Sequence, residues 1–62
     1  MLVDFVLFNG KDARIGLSEE EAKGFAKELM ARGWEFKERT SNSMDIALKG
    51  EVVGRVLMYD RS

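Results

Sequence analysis

The first apolar residues of the chain are spaced as in β-strands. Residues 2–8 are rich in β-branched and aromatic side chains, and residues 13–17 alternate apolar and polar side chains. Asn9 and Gly10 lie between the two runs. Because Asn-Gly suits the positive backbone angles of a tight turn, this arrangement predicts a β-hairpin.

The spacing then changes to that of an amphipathic helix. Ser18 lies three residues before Glu21, which is the spacing of a capping box, and Gly33 supplies a C-terminal stop signal. We therefore predict a helix over residues 19–32. Its apolar side chains repeat every three or four residues and form one stripe, which consists of Ala22, Phe25, Ala26, Leu29 and Met30.

Strand-like alternation returns after the helix. Residues 34–40, 44–49 and 52–59 each alternate, and polar or glycine residues separate them. The element order is ββαβββ, so we expect one small α+β domain over residues 1–62, in which a single helix packs on one face of an antiparallel five-stranded sheet. The third strand alternates with charged residues as protected edge strands do, which predicts the sheet order 3-4-5-1-2.

The pairing of the strands follows from which register brings apolar side chains together. In the first hairpin, a three-residue loop ending at a left-handed Gly10 pairs Phe5 with Ala13 and Val3 with Ile15. An odd-length loop is likewise expected in the second hairpin, around the glycine at position 50. The side of the sheet beneath the helix is then expected to hold Val3, Phe5, Leu7, Ala13, Ile15, Leu17, Trp34, Phe36, Ile46, Leu48, Val52, Val56 and Met58.

The other side of the sheet is not fully polar in this arrangement. One helix cannot cover both sides of a sheet, so large apolar side chains on the second side remain uncovered, with charged residues around them. An apolar centre with a polar rim is typical of protein interfaces. We therefore predict a partner-binding surface formed by Val6, Phe8, Val53, Arg55, Leu57 and Tyr59.

Composition removes most catalytic and cofactor chemistry from consideration. The chain has no Cys and no His, so thiolate and imidazole metal sites, disulfides and Ser-His or Cys-His catalysis are excluded. The consecutive glutamates at positions 19–21 are expected to stabilise the helix N-terminus rather than act as acids or bases. We expect no enzyme activity, no cofactor, no metal and no small-molecule substrate. With no membrane-spanning segment or secretion signal evident, a cytoplasmic protein is expected.

Two classes of binding function fit these features. The first is a non-enzymatic protein–protein interaction module, either a homo-oligomer such as a homodimer or a small inhibitor that docks on a larger protein. The predicted architecture resembles that of some small phage-encoded inhibitors of host or defence machinery, and this resemblance rests on architecture and on no sequence motif.

The alternative is single-stranded nucleic-acid binding, with Phe8 and Tyr59 stacking on bases and arginines holding phosphates. The formal net charge of −1 makes nucleic acid the less expected partner.

Overall fold

The computed structural model describes residues 1–10 and 13–60. Each helix and strand boundary lies within one residue of the predicted position. The elements are β1 (Leu2–Leu7), β2 (Ala13–Ser18), α1 (Glu19–Ala31), β3 (Trp34–Thr40), β4 (Ser43–Leu48) and β5 (Glu51–Tyr59). The strands form one antiparallel sheet in the order β2-β1-β5-β4-β3, which confirms the predicted strand order, and α1 packs on one side of it.

The predicted capping box begins the helix. The backbone N–H of Glu21 donates to the Ser18 hydroxyl at 3.2 Å, and the backbone N–H of Ser18 donates to the Glu21 carboxylate at 3.1 Å. Hydrogen bonding of the Glu21 carboxylate to Ser18, first to its backbone N–H and then to its hydroxyl, holds the pKa of Glu21 below its ordinary value. The helix ends at Arg32, and Gly33 follows with a φ of +91°.

The core lies between α1 and the sheet. Its buried side chains are Val3, Phe5, Ala22, Leu29, Ile46 and Val56. The Phe5 ring meets the Phe25 ring edge-on at 4.8 Å and the Phe36 ring at 6.2 Å. Because β5 and β4 separate β1 from β3, a flat sheet would place Phe5 and Phe36 about 14 Å apart. The sheet therefore curls around the helix.

The first hairpin contains a β-bulge that the apolar pattern did not predict. Gly10 has the predicted positive φ, +74°, but Phe5 faces Arg14 instead of Ala13. Further along, Val3 faces Leu17, so β2 carries one extra residue opposite Asp4.

Gly16 makes the bulge possible. It has a φ of +69°, a left-handed conformation that glycine adopts without strain, and its N–H donates to the Asp4 carboxylate at 2.7 Å. The bulge moves Ile15 away from the helix, where 67% of its surface is exposed, so its predicted burial is wrong. The predicted placement of Ala13 beneath the helix is wrong as well, since it faces Val6.

The second hairpin also differs from its predicted odd-length loop. Lys49 and Gly50 form a two-residue turn, with φ of +53° and +81° as in a type I′ turn. Ala47 faces Val52, but Ile46 faces Gly54, so Val53 is an extra residue in β5. Val52 is consequently 44% exposed, and Val53 packs against the core, which reverses the two predicted placements.

A third bulge lies near the end of β3. Glu38 faces Met44 and Thr40 faces Ser43, so Arg39 has no partner residue in β4. Both edge strands of the sheet, β2 and β3, therefore contain an irregularity.

The helix stripe agrees with the prediction except at its end. Ala22 and Leu29 are buried, and Phe25 and Ala26 pack against the core. Met30 is 52% exposed, so its predicted place in the core is wrong.

Alanine substitutions at Leu29 and at Met30 test which of these two neighbouring helix residues packs in the core. We expect Leu29→Ala to lower the free energy of unfolding by about 2–5 kcal/mol, because it leaves a cavity in a small core. Met30→Ala is the matched control, and we expect a change within about 0.5 kcal/mol, as for an ordinary surface position. Urea denaturation of the two variants measures both values. Equal losses would show that the helix faces are misassigned.

Alanine substitutions at two glycines are expected to change the stability of the protein in opposite directions. A Cβ at Gly54 would lie 2.5 Å from the carbonyl oxygen of Val6 and 2.7 Å from Leu7 Cδ2, whereas a Cβ at Gly24 would meet no atom within 4 Å. We expect Gly54→Ala to destabilise by about 1–3 kcal/mol, since the backbone of β1 must move. Gly24→Ala should stabilise the protein by about 1 kcal/mol, because Gly24 occupies an exposed position inside the helix. Thermal unfolding measures both signs, and a neutral Gly54→Ala would contradict the close approach of β1 and β5.

Candidate interaction surface on the open side of the sheet

The side of the sheet opposite α1 carries most of the residues predicted for partner binding, and we call it the outer face. The strand registers arrange it in rows that run across the strands. One row consists of Leu2 and Tyr59; the next of Ile15, Asp4, Leu57 and Ser43; the next of Ala13, Val6, Arg55, Asp45 and Lys37; and the last of Val52, Ala47 and Glu35.

The predicted residues differ in how far they reach into solvent. Leu57 and Tyr59 are 40% and 41% exposed, and Val6 and Arg55 are half-buried. Phe8 follows the end of β1 and is 56% exposed. The predicted place of Val53 on this face is wrong, because its side chain packs against the core.

The apolar part of the outer face includes two residues that the sequence pattern assigned to the core. Ile15 extends it at the β2 edge, and Val52 extends it near Phe8. A glycine in each strand could have revealed these placements from the sequence. Gly16 lies in the bulge of β2, and Gly54 lies next to the extra residue of β5. A glycine inside a strand pattern often marks a bulge.

The carboxylate of Asp4 lies among the apolar side chains of the outer face. Its carboxylate accepts hydrogen bonds from the Tyr59 hydroxyl at 2.9 Å and from the Gly16 N–H at 2.7 Å. The hydrogen bond from Tyr59 is the main reason that the pKa of Tyr59 is raised, and partial desolvation and the negative charge of Asp4 act in the same direction. The Tyr59 hydroxyl is thus directed at Asp4 rather than at solvent.

Arg55 joins the apolar and charged parts of the outer face. Its Nε lies 3.4 Å from the Asp45 carboxylate, and its guanidinium lies 5.5 Å from the centre of the Phe8 ring. Both side chains of the ion pair are partly shielded from solvent. The arginine therefore has its charge balanced by Asp45 and occupies a position over the Phe8 ring.

Within residues 1–10 and 13–60, no group of three or more His, Cys, Asp or Glu side chains could hold a metal ion. In the same part of the chain, no helix has the length and apolar character needed to cross a membrane.

Comparison of the chain with protein-family models, with curated proteins and with solved structures gives no significant match. Any function must therefore be inferred from the surfaces of the molecule itself.

The Asp4–Tyr59 hydrogen bond has a measurable consequence for tyrosine ionisation. We expect Asp4→Asn to lower the pKa of Tyr59 towards its ordinary value of 10.0, because the hydroxyl then no longer faces a carboxylate. Asp45→Asn, on the same face but without contact to Tyr59, is the control and should leave it unchanged. Ultraviolet absorbance of the single tyrosine during a pH titration measures both values.

The sign of the associated stability change follows from linkage. The folded chain holds the Tyr59 proton more tightly than the unfolded chain, so this contribution to stability is present below pH 10.0 and is lost as the pH rises through the raised pKa. Thermal unfolding of the wild type should therefore show a steeper alkaline loss of stability than that of Asp4→Asn. Parallel alkaline profiles would contradict the hydrogen bond.

Proposed function

We propose that the protein is a non-enzymatic, cytoplasmic protein–protein interaction module that forms a homodimer through its outer face. The observation that carries the proposal is the set of exposed apolar side chains on a sheet side that no other element of the described residues covers: Phe8, Ile15, Val52, Leu57 and Tyr59. Isolated exposed apolar residues are common on monomers, whereas several on the same side of a sheet favour a contact surface.

The charges on the outer face favour a second copy as the occupant. Negative side chains at Asp4 and Asp45 share the face with positive ones at Arg55 and Lys37. A two-fold contact brings the same patch of both copies together, so it requires a surface that carries both signs. A partner with one dominant sign of charge would meet repulsion at half of these positions.

The small core provides a second argument. A chain of 62 residues buries only about 60% of the surface that it exposes when unfolded. Covering Leu57 and Tyr59 in a dimer removes further apolar surface from water and stabilises the folded state through mass action.

Nucleic-acid binding through the same face has weaker support. Arg55, which would contact phosphate, is paired with Asp45, and its guanidinium already occupies a position over the Phe8 ring. Asp4 stands beside Tyr59 and would repel a phosphate backbone.

Replacing Leu57 with Lys tests the proposed dimer. Leu57 is partly exposed and points away from the helix, so we expect the variant to fold but to lose self-association by at least tenfold, because an unpaired charge enters the apolar contact. Met30→Lys is the matched control, since Met30 is also exposed but lies on the helix, and it should associate like the wild type. Light scattering after size exclusion, at several protein concentrations, measures the mass, and circular dichroism verifies the fold.

Three outcomes would overturn the proposal. A wild-type protein that stays monomeric at all concentrations would exclude the homodimer, and Leu57-dependent binding of a larger protein would then assign the face to a foreign partner, as in an inhibitor. Unfolding of Leu57→Lys would place Leu57 in the core. Binding of a labelled oligonucleotide that weakens as salt rises would favour the nucleic-acid alternative.

A further inference from the structure

The molecule contains a second candidate site on the helix side of the sheet. A half-open cleft of about 370 Å³ lies between α1 and the sheet. Its lining includes the half-buried Leu7, Phe25 and Trp34 and the buried Phe5, Leu29 and Ile46, of which no more than 8% is exposed. Clefts that bind small molecules have volumes of about 300–1,000 Å³, and an apolar cavity of about 150 Å³ suffices for benzene. The cleft is therefore large enough for a small apolar group.

The bulge in β2 explains why the cleft is not filled by a side chain of this chain. The register places Arg14 opposite the buried Phe5, on the helix side, at the position where regular alternation would have placed an apolar residue. The Arg14 guanidinium lies 5.2 Å from the centre of the Phe25 ring. The arginine thus lines the cleft and brings its guanidinium beside the Phe25 ring.

The cleft has a positive rim although the whole chain carries a net charge of −1. Arg14 and Arg32 both line it, and no Asp or Glu does so among the described residues. In that part of the chain, neither arginine forms an ion pair. Two arginines in a lining that also contains Phe25 and Trp34 match a ligand that has an anionic head and an apolar body, since guanidinium groups pair with carboxylates through parallel hydrogen bonds.

We propose that this cleft binds a small amphipathic carboxylate, with its apolar body against Leu7, Phe25 and Trp34 and its carboxylate at Arg14 and Arg32. The site is on the opposite side of the sheet from the outer face. It does not depend on the proposed homodimer, and the failure of either proposal leaves the other standing.

Octanoate is a suitable probe, and octanol is its uncharged counterpart. The fluorescence of Trp34, the only tryptophan, reports occupancy of the cleft, and calorimetry gives the affinity and the stoichiometry. We expect saturable binding of one octanoate per chain, below its micelle-forming concentration, and a rise in the melting temperature. Octanol should bind at least tenfold more weakly.

Variants of Arg14 and Arg32 test whether these side chains bind the carboxylate or whether the apolar lining alone holds the ligand. Arg14→Gln and Arg32→Gln should each weaken octanoate binding several-fold, and the double variant at least tenfold, without changing the binding of octanol. Arg39→Gln is the matched control, because Arg39 is exposed at the opposite end of β3 from Trp34. It should bind octanoate like the wild type.

The results that would overturn the proposal are equally specific. Absence of saturable binding would show that the cleft takes no such ligand. Equal affinities for octanoate and octanol, or an undiminished affinity in the double variant, would show that the arginines do not select a carboxylate. Melting curves verify that each variant folds, and if the double variant does not, the two single variants decide.

Discussion

The hydrogen bond between Asp4 and Gly16 determines which residues of the first hairpin face the helix. It holds the extra residue of β2 opposite Asp4, and the pairing of the strands changes by one residue at that point. On one side of the bulge Leu17 faces Val3 and contributes to the core, while on the other side Arg14 takes the place beside Phe5. The composition of the core, the opening of the cleft and the exposure of Ile15 all follow from this contact.

The bulge in β5 likewise determines which side chains of the central strands face the helix. The extra residue Val53 lets the two-residue turn at Lys49 and Gly50 coexist with the burial of both Ile46 and Val56. Without it, a two-residue turn would place these two apolar side chains on different sides of the sheet. Gly54, next to the extra residue, has no Cβ and so allows the β1 backbone to approach closely.

The asymmetry between the two sides of the sheet is what gives this small chain its candidate functions. The curled sheet brings Phe5 close to Phe36 and to Phe25 of the helix, and a cleft remains between the helix and the sheet. No element of the described residues covers the outer face, and four of its polar side chains are paired within the face, Tyr59 with Asp4 and Arg55 with Asp45. Side chains held in this way lose less conformational freedom when a partner arrives.

Local signals predicted the elements well, and long-range pairing was predicted less well. The capping box of Ser18 and Glu21 and the strand order were predictable because they depend on residue spacing and on the charge of edge strands. The placements of Ile15, Val52 and Val53 were wrong because an alternating pattern assumes regular pairing, and a single bulge reverses the parity beyond it. Of the six residues predicted for the contact surface, only Val53 was affected by this error. Val6, Arg55, Leu57 and Tyr59 lie where β1 and β5 pair regularly, and Phe8 follows the end of β1.

The bulges in the two edge strands also limit how copies of the chain can meet. An open edge of a sheet is a template for a strand from another molecule, and repeated addition of strands produces fibrils. In β2 the Gly16 N–H is directed at Asp4, and in β3 Arg39 interrupts the pairing near the end of the strand. Neither edge therefore presents an unbroken ladder of donors and acceptors, so strand addition at the edges is obstructed, and the proposed dimer through the outer face would remain a closed pair rather than the start of a fibril.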